Sequence, residues 1–358
     1  MTRMLPINPR LLIVTQSVDA DSPVFGFFHR WIEEFAKNCE SLTVICLLEG
    51  EHNLPKNVRV FSLGKERLND RPISIWNRAE VRVAYSIRFL LLIWNERKNY
   101  DAVFVHMNPE YIVLGGWLWR LLGKRIGLWY THKQVNFKLR VAEFMSGIIW
   151  TASSESFRLA THKLEVMGHG IDVSHFRPTS TISSTFPRII SVSRISDTKR
   201  VVEILDVCDV LYSRHKPFKL TIIGSPATPA DIAYGKLLLE RISHSAYKDD
   251  IKYVGPIAHD LLPGILNNHD VEINLSKTGS LDKTVLEAMA CGVRVVSTNI
   301  AFKHVLEHDG LFVKTFDPDT IADAVLRAWQ TDATRGVDYI QKNHSLTLLI
   351  GRIVATLR

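Results

Sequence analysis

At 358 residues and 40.7 kDa the chain is longer than one compact core usually allows, so two domains are expected. With 46% hydrophobic and 23% charged residues it is globular in composition, and no apolar run reaches the roughly 20 residues that cross a bilayer. The net charge of +7 sits almost wholly in residues 1–178, which suits an anionic acceptor or membrane surface; with no zinc-finger spacing, aromatic RNA-binding motif or long Lys/Arg tract, nucleic acid is not an expected partner.

The first residues show no basic region followed by an apolar core and a cleavage site, so no signal peptide is expected. Leu11 to Thr15 reads as a buried strand, and Phe25 to Phe35 as an amphipathic helix with Gly26 at its start, where backbone can approach a ligand. No GxGxxG follows that strand, which argues against a dinucleotide site. Leu42 to Leu48 and Val58 to Leu63 supply further strands. Ile73 to Arg97 has helical spacing and carries Arg78, Arg82 and Arg88. Ala102 to His106 is the next strand. Tyr111 to Leu122, with Trp117 and Trp119, is a core or interfacial helix followed by Lys124 and Arg125. Ile126 to Tyr130 is a strand that ends in Thr131-His132-Lys133, the ligand end of an open α/β sheet; His132 is therefore favoured over His106 as a working imidazole. Ser146 to Thr151 follows.

The Ser/Thr/Pro-rich run Thr179 to Thr185 is the expected linker between domains. The alternation restarts with a strand at Arg188 to Val192, a loop at Ser193 to Thr198 and a helix at Lys199 to Tyr212. Arg194 and Lys199 would then flank a helix N-terminus as a diphosphate clamp. Strands at Leu220 to Gly224, Ile251 to Val254 and Val271 to Leu275 alternate with helices at Ile232 to Ile242 and Leu261 to Leu266. Leu275 to Asn299 is the most informative stretch: strand, small-residue turn at Thr278-Gly279-Ser280, helix at Asp282 to Met289, a stop at Gly292, and a strand at Val293 to Ser297. The free N–H groups of that helix suit a phosphate or sugar hydroxyl, and Glu287 one and a half turns in suits vicinal hydroxyls. A strand at Leu311 to Val313, a helix at Thr320 to Trp329 and a last helix at Ser345 to Leu357 complete the pattern. Cys39, Cys46, Cys208 and Cys291 lie in apolar surroundings without paired metal spacing, as in a reducing compartment, so a cytoplasmic location and no metal are expected.

These landmarks resemble family 4 glycosyltransferases of the GT-B fold. The matching residues are His169-Gly170-Ile171-Asp172 with Phe176-Arg177-Pro178, Val192-Ser193-Arg194 with Lys199, Ile222-Ile223-Gly224, Val254-Gly255-Pro256, and Leu286-Glu287-Ala288-Met289-Ala290-Cys291-Gly292. The resemblance implies two Rossmann-like domains facing across a cleft: 1–178 on the acceptor side, with 344–358 crossing back to it, and 179–343 holding the nucleotide-sugar. It further implies a retaining transferase that needs no metal or cofactor. A UDP- or GDP-linked sugar would pass to a glycan or lipid-linked hydroxyl in cell-surface polysaccharide or glycoconjugate synthesis; peripheral contact at the inner membrane face is expected from the basic N-terminal half and the Trp-containing helix. By position, Arg194 and Lys199 would neutralise the leaving diphosphate, Glu287 would hold the ribose, and backbone at Gly279, Ser280 and Leu281 would meet phosphate or sugar. Gly26 matches the N-terminal glycine loop without its usual partner glycine, and His132 matches the family's sugar-orienting histidine.

One position departs from the family. The first Glu of its Glu-x7-Glu motif is Gly279 here, within Gly-Ser-Leu-Asp-Lys, so Asp282 either replaces that carboxylate or serves the helix dipole. Two alternatives remain: another GT-B activity, such as an epimerase or a phosphorylase, and a non-catalytic nucleotide-sugar-binding subunit.

Overall fold

The fold is that of a computed structural model in which residues 8–22, 25–68, 75–179 and 184–357 are described. Most of the expected linker (residues 180–183), Ile73 and the side chain of Arg78 lie outside them. The chain forms two compact units, Met1–Gly170 with Leu346–Arg358, and Ile171–Ser345. The division falls at Gly170/Ile171 rather than after Pro178, because Ile171 and Phe176 are buried in the second unit's core.

In the first unit the elements run β1 (Arg10–Val18), α1 (Gly26–Asn38), β2 (Ser41–Glu49), β3 (Val58–Ser62), α2 (Ile75–Asn95), β4 (Ala102–His106), α3 (Pro109–Leu121), β5 (Arg125–Trp129), α4 (Phe137–Met145), β6 (Ile148–Thr151) and β7 (Leu164–Val166). The strands form one parallel sheet in the order β3-β2-β1-β4-β5-β6-β7. Side chains alternate across it, as strand geometry requires. Leu11 and Ile13 of β1 enter a core with Phe28, Trp31 and Phe35 of α1, whereas Leu12 and Val14 enter another with Phe89, Ile112 and Trp119. Sheets buried on both faces read as continuous apolar runs, which is why β1, β2, β4 and β5 were legible without alternation.

The second unit runs β8 (Arg188–Val192), α5 (Glu203–Ser213), β9 (Lys219–Ile223), α6 (Pro229–His244), β10 (Ile251–Gly255), α7 (Leu262–Leu266), β11 (Val271–Asn274), α8 (Lys283–Ala290), β12 (Arg294–Ser297), α9 (Lys303–Leu306), α10 (Pro318–Gln330) and α11 (Thr334–Asn343). Its parallel sheet is ordered β10-β9-β8-β11-β12. The last helix, α12 (Leu346–Thr356), belongs to the first unit, where Leu349, Ile350 and Ile353 join the α1 core.

Two expectations need correction. Lys199 does not open a helix: Asp197–Lys199 is a short 3-10 turn, Arg200 is left-handed (φ 53°), and α5 starts at Glu203. Leu311 to Val313 is no strand either, since only an isolated bridge from Phe312 to Ser297 forms there.

Candidate functional site

Ligands of open parallel sheets gather where the strand order reverses, beyond the C-terminal strand ends. In the second unit that point lies between β8 and β11, and most of the expected donor residues converge there. Lys199 Nζ donates to Asp282 Oδ1 at 2.5 Å and lies 3.5 Å from Ser276 Oγ. Asn274, the last residue of β11, donates Nδ2 to the other Asp282 oxygen at 2.9 Å. Asp282 is the N-cap residue of α8 yet makes no side-chain capping bond, so its carboxylate fixes the Lys199 ammonium at the helix mouth instead.

Gly279 takes φ 61°, a left-handed conformation that glycine adopts without cost and a Glu does not. The local backbone thus accounts for the missing first carboxylate. The Ser280 carbonyl accepts from Asn299 Nδ2 at 2.8 Å, and Leu281 is buried, so the turn is tied down on both sides.

Glu287 is 1% exposed. Its Oε1 accepts from Lys283 Nζ at 2.6 Å and from His259 Nε2 at 2.7 Å. Burial alone would push this carboxyl up, but Lys283 and His259 outweigh it and hold the pKa down at about 2. Lys283 precedes Glu287 by four residues, a spacing that was readable. His259 had no such signal; it reaches Glu287 only through the loop after β10.

Arg194 is turned to a different helix. Its Nε lies 3.7 Å from Asp231, which closes the capping box of α6 with Thr228. It is half-exposed, so this pair is loosely held.

One buried group escaped the sequence reading. Glu272, in the middle of β11, is fully buried, and neither carboxyl oxygen has a hydrogen-bond partner among the described residues. Burial, and then the charges of Asp282 and Glu287, push its pKa well above the usual carboxylate range, against a smaller opposing effect of Lys199. Its burial therefore favours the protonated form.

In the first unit the order reverses between β1 and β4. A cavity of about 360 Å³ lies at those strand ends, and His106, Asn108, His132, Gln134 and Asn136 line it. His132 is exposed in the loop after β5, its ring edge-on to Tyr130 at 5.7 Å. His106 is buried, stacked on Phe28 at 4.1 Å with Nδ1 3.2 Å from Thr15 Oγ1. Burial, then His132 and His169, drive its pKa down to about 3, so it stays neutral. Between them Met107 has φ 67° in a γ-turn closed by Asn108 N–H to the His106 carbonyl at 2.8 Å. Such strain in a non-glycine residue concentrates at functional sites. Gly26 opens α1, where an added Cβ would come within 2.7 Å of the Ala20 carbonyl; its smallness serves the β1–α1 loop. No cluster of three metal-ligating side chains occurs among the described residues.

Residues 186–331 match the family described as "Glycosyl transferases group 1". Over 176 residues the chain is 26% identical to one component of the Arabidopsis thaliana phosphatidylinositol N-acetylglucosaminyltransferase, a match covering 48% of this chain and 37% of that protein. The chain thus spans little more than a third of that relative's length. Solved structures resemble nearly all of the chain. The Anabaena protein Alr3699/HepE, in complex with UDP and glucose, superposes with a TM-score of 0.68 at 15% identity, covering 98% of this chain and 99% of the other. Sucrose-phosphate synthase from Thermosynechococcus elongatus gives 0.70 at 14%, covering 97% and 99%. These likenesses show the fold, which is GT-B with two parallel-sheet α/β domains.

Proposed function

We propose that this chain, whose second unit carries a glycosyl transferases group 1 domain, is a retaining glycosyltransferase using a UDP- or GDP-linked sugar and a glycan or lipid-linked hydroxyl acceptor. The observation that carries this reading is the α8 mouth: an ammonium held there by Asp282, with an ionised, buried Glu287 one turn further on.

A diphosphate at this mouth meets the free N–H groups of α8 and the Lys199 ammonium. As the anomeric bond breaks, negative charge grows on the leaving phosphate, and both groups stabilise it. This charge stabilisation requires no metal. Arg194, loosely tied to Asp231, swings to the same phosphate. Lys283 and His259 both bond Glu287 Oε1, and the carboxylate they hold low in pKa accepts from the ribose hydroxyls. His132 orients the transferred sugar, and backbone at Gly279, Ser280 and Leu281 contacts phosphate or sugar. The departing phosphate takes the acceptor proton, so attack comes from the face it leaves.

A role in surface glycoconjugate synthesis at a membrane face draws support from α2. Val83, Ile87, Leu91 and Trp94 form an exposed stripe, each at least 45% accessible, on a segment that also carries Arg82, Arg88 and Arg97. No helix among the described residues is long and apolar enough to cross a membrane.

Thermal unfolding with UDP-, GDP-, ADP- and dTDP-sugars tests the donor, because a ligand of the folded state stabilises in proportion to concentration over affinity. The anomeric configuration of the product from the best donor tests retention, and EDTA tests metal independence. One nucleotide class should stabilise strongly, and the product should keep the donor's configuration without metal. Stabilisation by none, or turnover of donor without acceptor, overturns the reading.

A further inference from the structure

The polar cavity at the β1 and β4 ends does not stand alone. A second cavity of about 510 Å³ adjoins it, and Gln16, Asn108 and Glu110 line both. The two ends differ in chemistry. The first offers amide side chains from Gln16, Asn108, Gln134 and Asn136, which exchange hydrogen bonds with sugar hydroxyls. The second runs beneath α2 and is walled by Leu47, Leu63, Phe89 and Leu114, which offer a sugar nothing. Tyr85 also lines this second cavity, and its hydroxyl is buried without a hydrogen-bond partner among the described residues. A buried hydroxyl left unpaired is costly, and any ligand that brings an oxygen to it removes that cost. Arg82 adds positive charge to the same lining, while Lys138 is paired there with Glu110 at 2.9 Å.

We propose that the two cavities form one acceptor site for an amphiphile, with a sugar head in the polar cavity and an apolar tail beneath α2. Arg82 and the Tyr85 hydroxyl meet the oxygen-bearing, anionic junction between head and tail. The proposal rests on the glycosyltransferase reading for the name acceptor, but the site itself is read from the first unit alone. The occupant follows from the continuity of the cavities: a free sugar leaves the second one unused, and a plain fatty chain leaves the amides unused.

The test is binding without donor, by titration calorimetry of the full-length protein with methyl, hexyl and octyl glucoside below their micelle concentrations, and with decyl phosphate. Octyl glucoside should bind at least tenfold tighter than methyl glucoside, with hexyl between, and decyl phosphate should compete with it. Leu114→Trp, which fills the apolar cavity, should abolish the chain-length dependence. Ser86→Trp on the α2 side of the same cavity should do so too, and it covers the case in which the first variant fails to fold. Affinity independent of chain length overturns the proposal, as does a chain-length dependence that both folded variants retain, because the tail then sits on the exposed α2 stripe. Thermal shifts with UDP-sugars on the same samples separate the two readings. Nucleotide binding without chain-length dependence ends the amphiphile site alone; chain-length dependence without nucleotide binding upholds the site and ends the transferase reading.

Discussion

Lys199 and Glu272 hold opposite electrostatic positions beside β11. Lys199 has a partner that points it at the helix mouth, so Lys199→Ala should remove charge stabilisation of the leaving group and lower kcat by about 10²–10³-fold. Circular dichroism should show an unchanged fold, and an unaltered kcat at saturating donor would refute the role. Glu272 has no hydrogen-bond partner among the described residues, and its burial decides the sign of a pH effect. Its folded-state pKa is raised, so the folded protein keeps a proton that the unfolded chain releases above about 4.5. That contribution to stability is present below the unfolded pKa and is lost as pH rises toward the folded one. Glu272→Leu should therefore be more stable than the parent by about 1–3 kcal/mol at pH 8, with the difference shrinking toward pH 4.5 in urea titrations. A difference that stays constant with pH would mean the carboxyl is already ionised. Glu287 runs the other way: held at about 2, it stabilises above the usual carboxylate pKa and loses that contribution as pH falls from about 4.5. Its partner Lys283 went unread although it lies one turn away, whereas His259, 28 residues distant, has no local spacing to read, because its contact is made through the fold.

At the scale of elements, the legible features were those that local pattern decides. The β11–α8–β12 unit stood out because a short apolar run, a glycine turn and a helical stripe follow one another directly. The start of α5 did not, because Arg200 takes a left-handed turn for which its residue type gives no warning. Helix α4 went unread as well, although Asn136 caps it by accepting from Leu139 N–H at 2.9 Å; nine residues between two loops give too little periodicity. The final helix was read, and its assignment to the first unit came from family resemblance rather than pattern. It packs as a core element: Ile350 is fully buried against the α1 core. Ile350→Ala should cost about 2–5 kcal/mol, read in chemical denaturation as a shift confined to the first unit's transition. Loss in the second unit's transition would contradict that assignment.

For the whole molecule, two units with separate cores imply two unfolding transitions. The candidate donor residues other than Gly26 and His132 lie in Ile171–Ser345, so UDP-sugar should raise the midpoint of that unit's transition first in scanning calorimetry. A nucleotide that raised only the other midpoint would place the donor site in the wrong unit. The basic excess of residues 1–178 suits an anionic partner, but charge gives no hint of the stripe on α2, whose outward side chains break the rule that helical apolar faces turn inward.

The return of α12 to the first unit also sets an order of events during synthesis. Ile171–Ser345 holds every strand and helix of its own core, so it can finish folding as soon as its last residue clears the ribosome. The first unit, translated earlier, must wait with α1 uncovered until Leu346–Arg358 emerges. The segment made first is completed last, and for the time it takes to translate some 175 residues its apolar α1 surface is open to a chaperone.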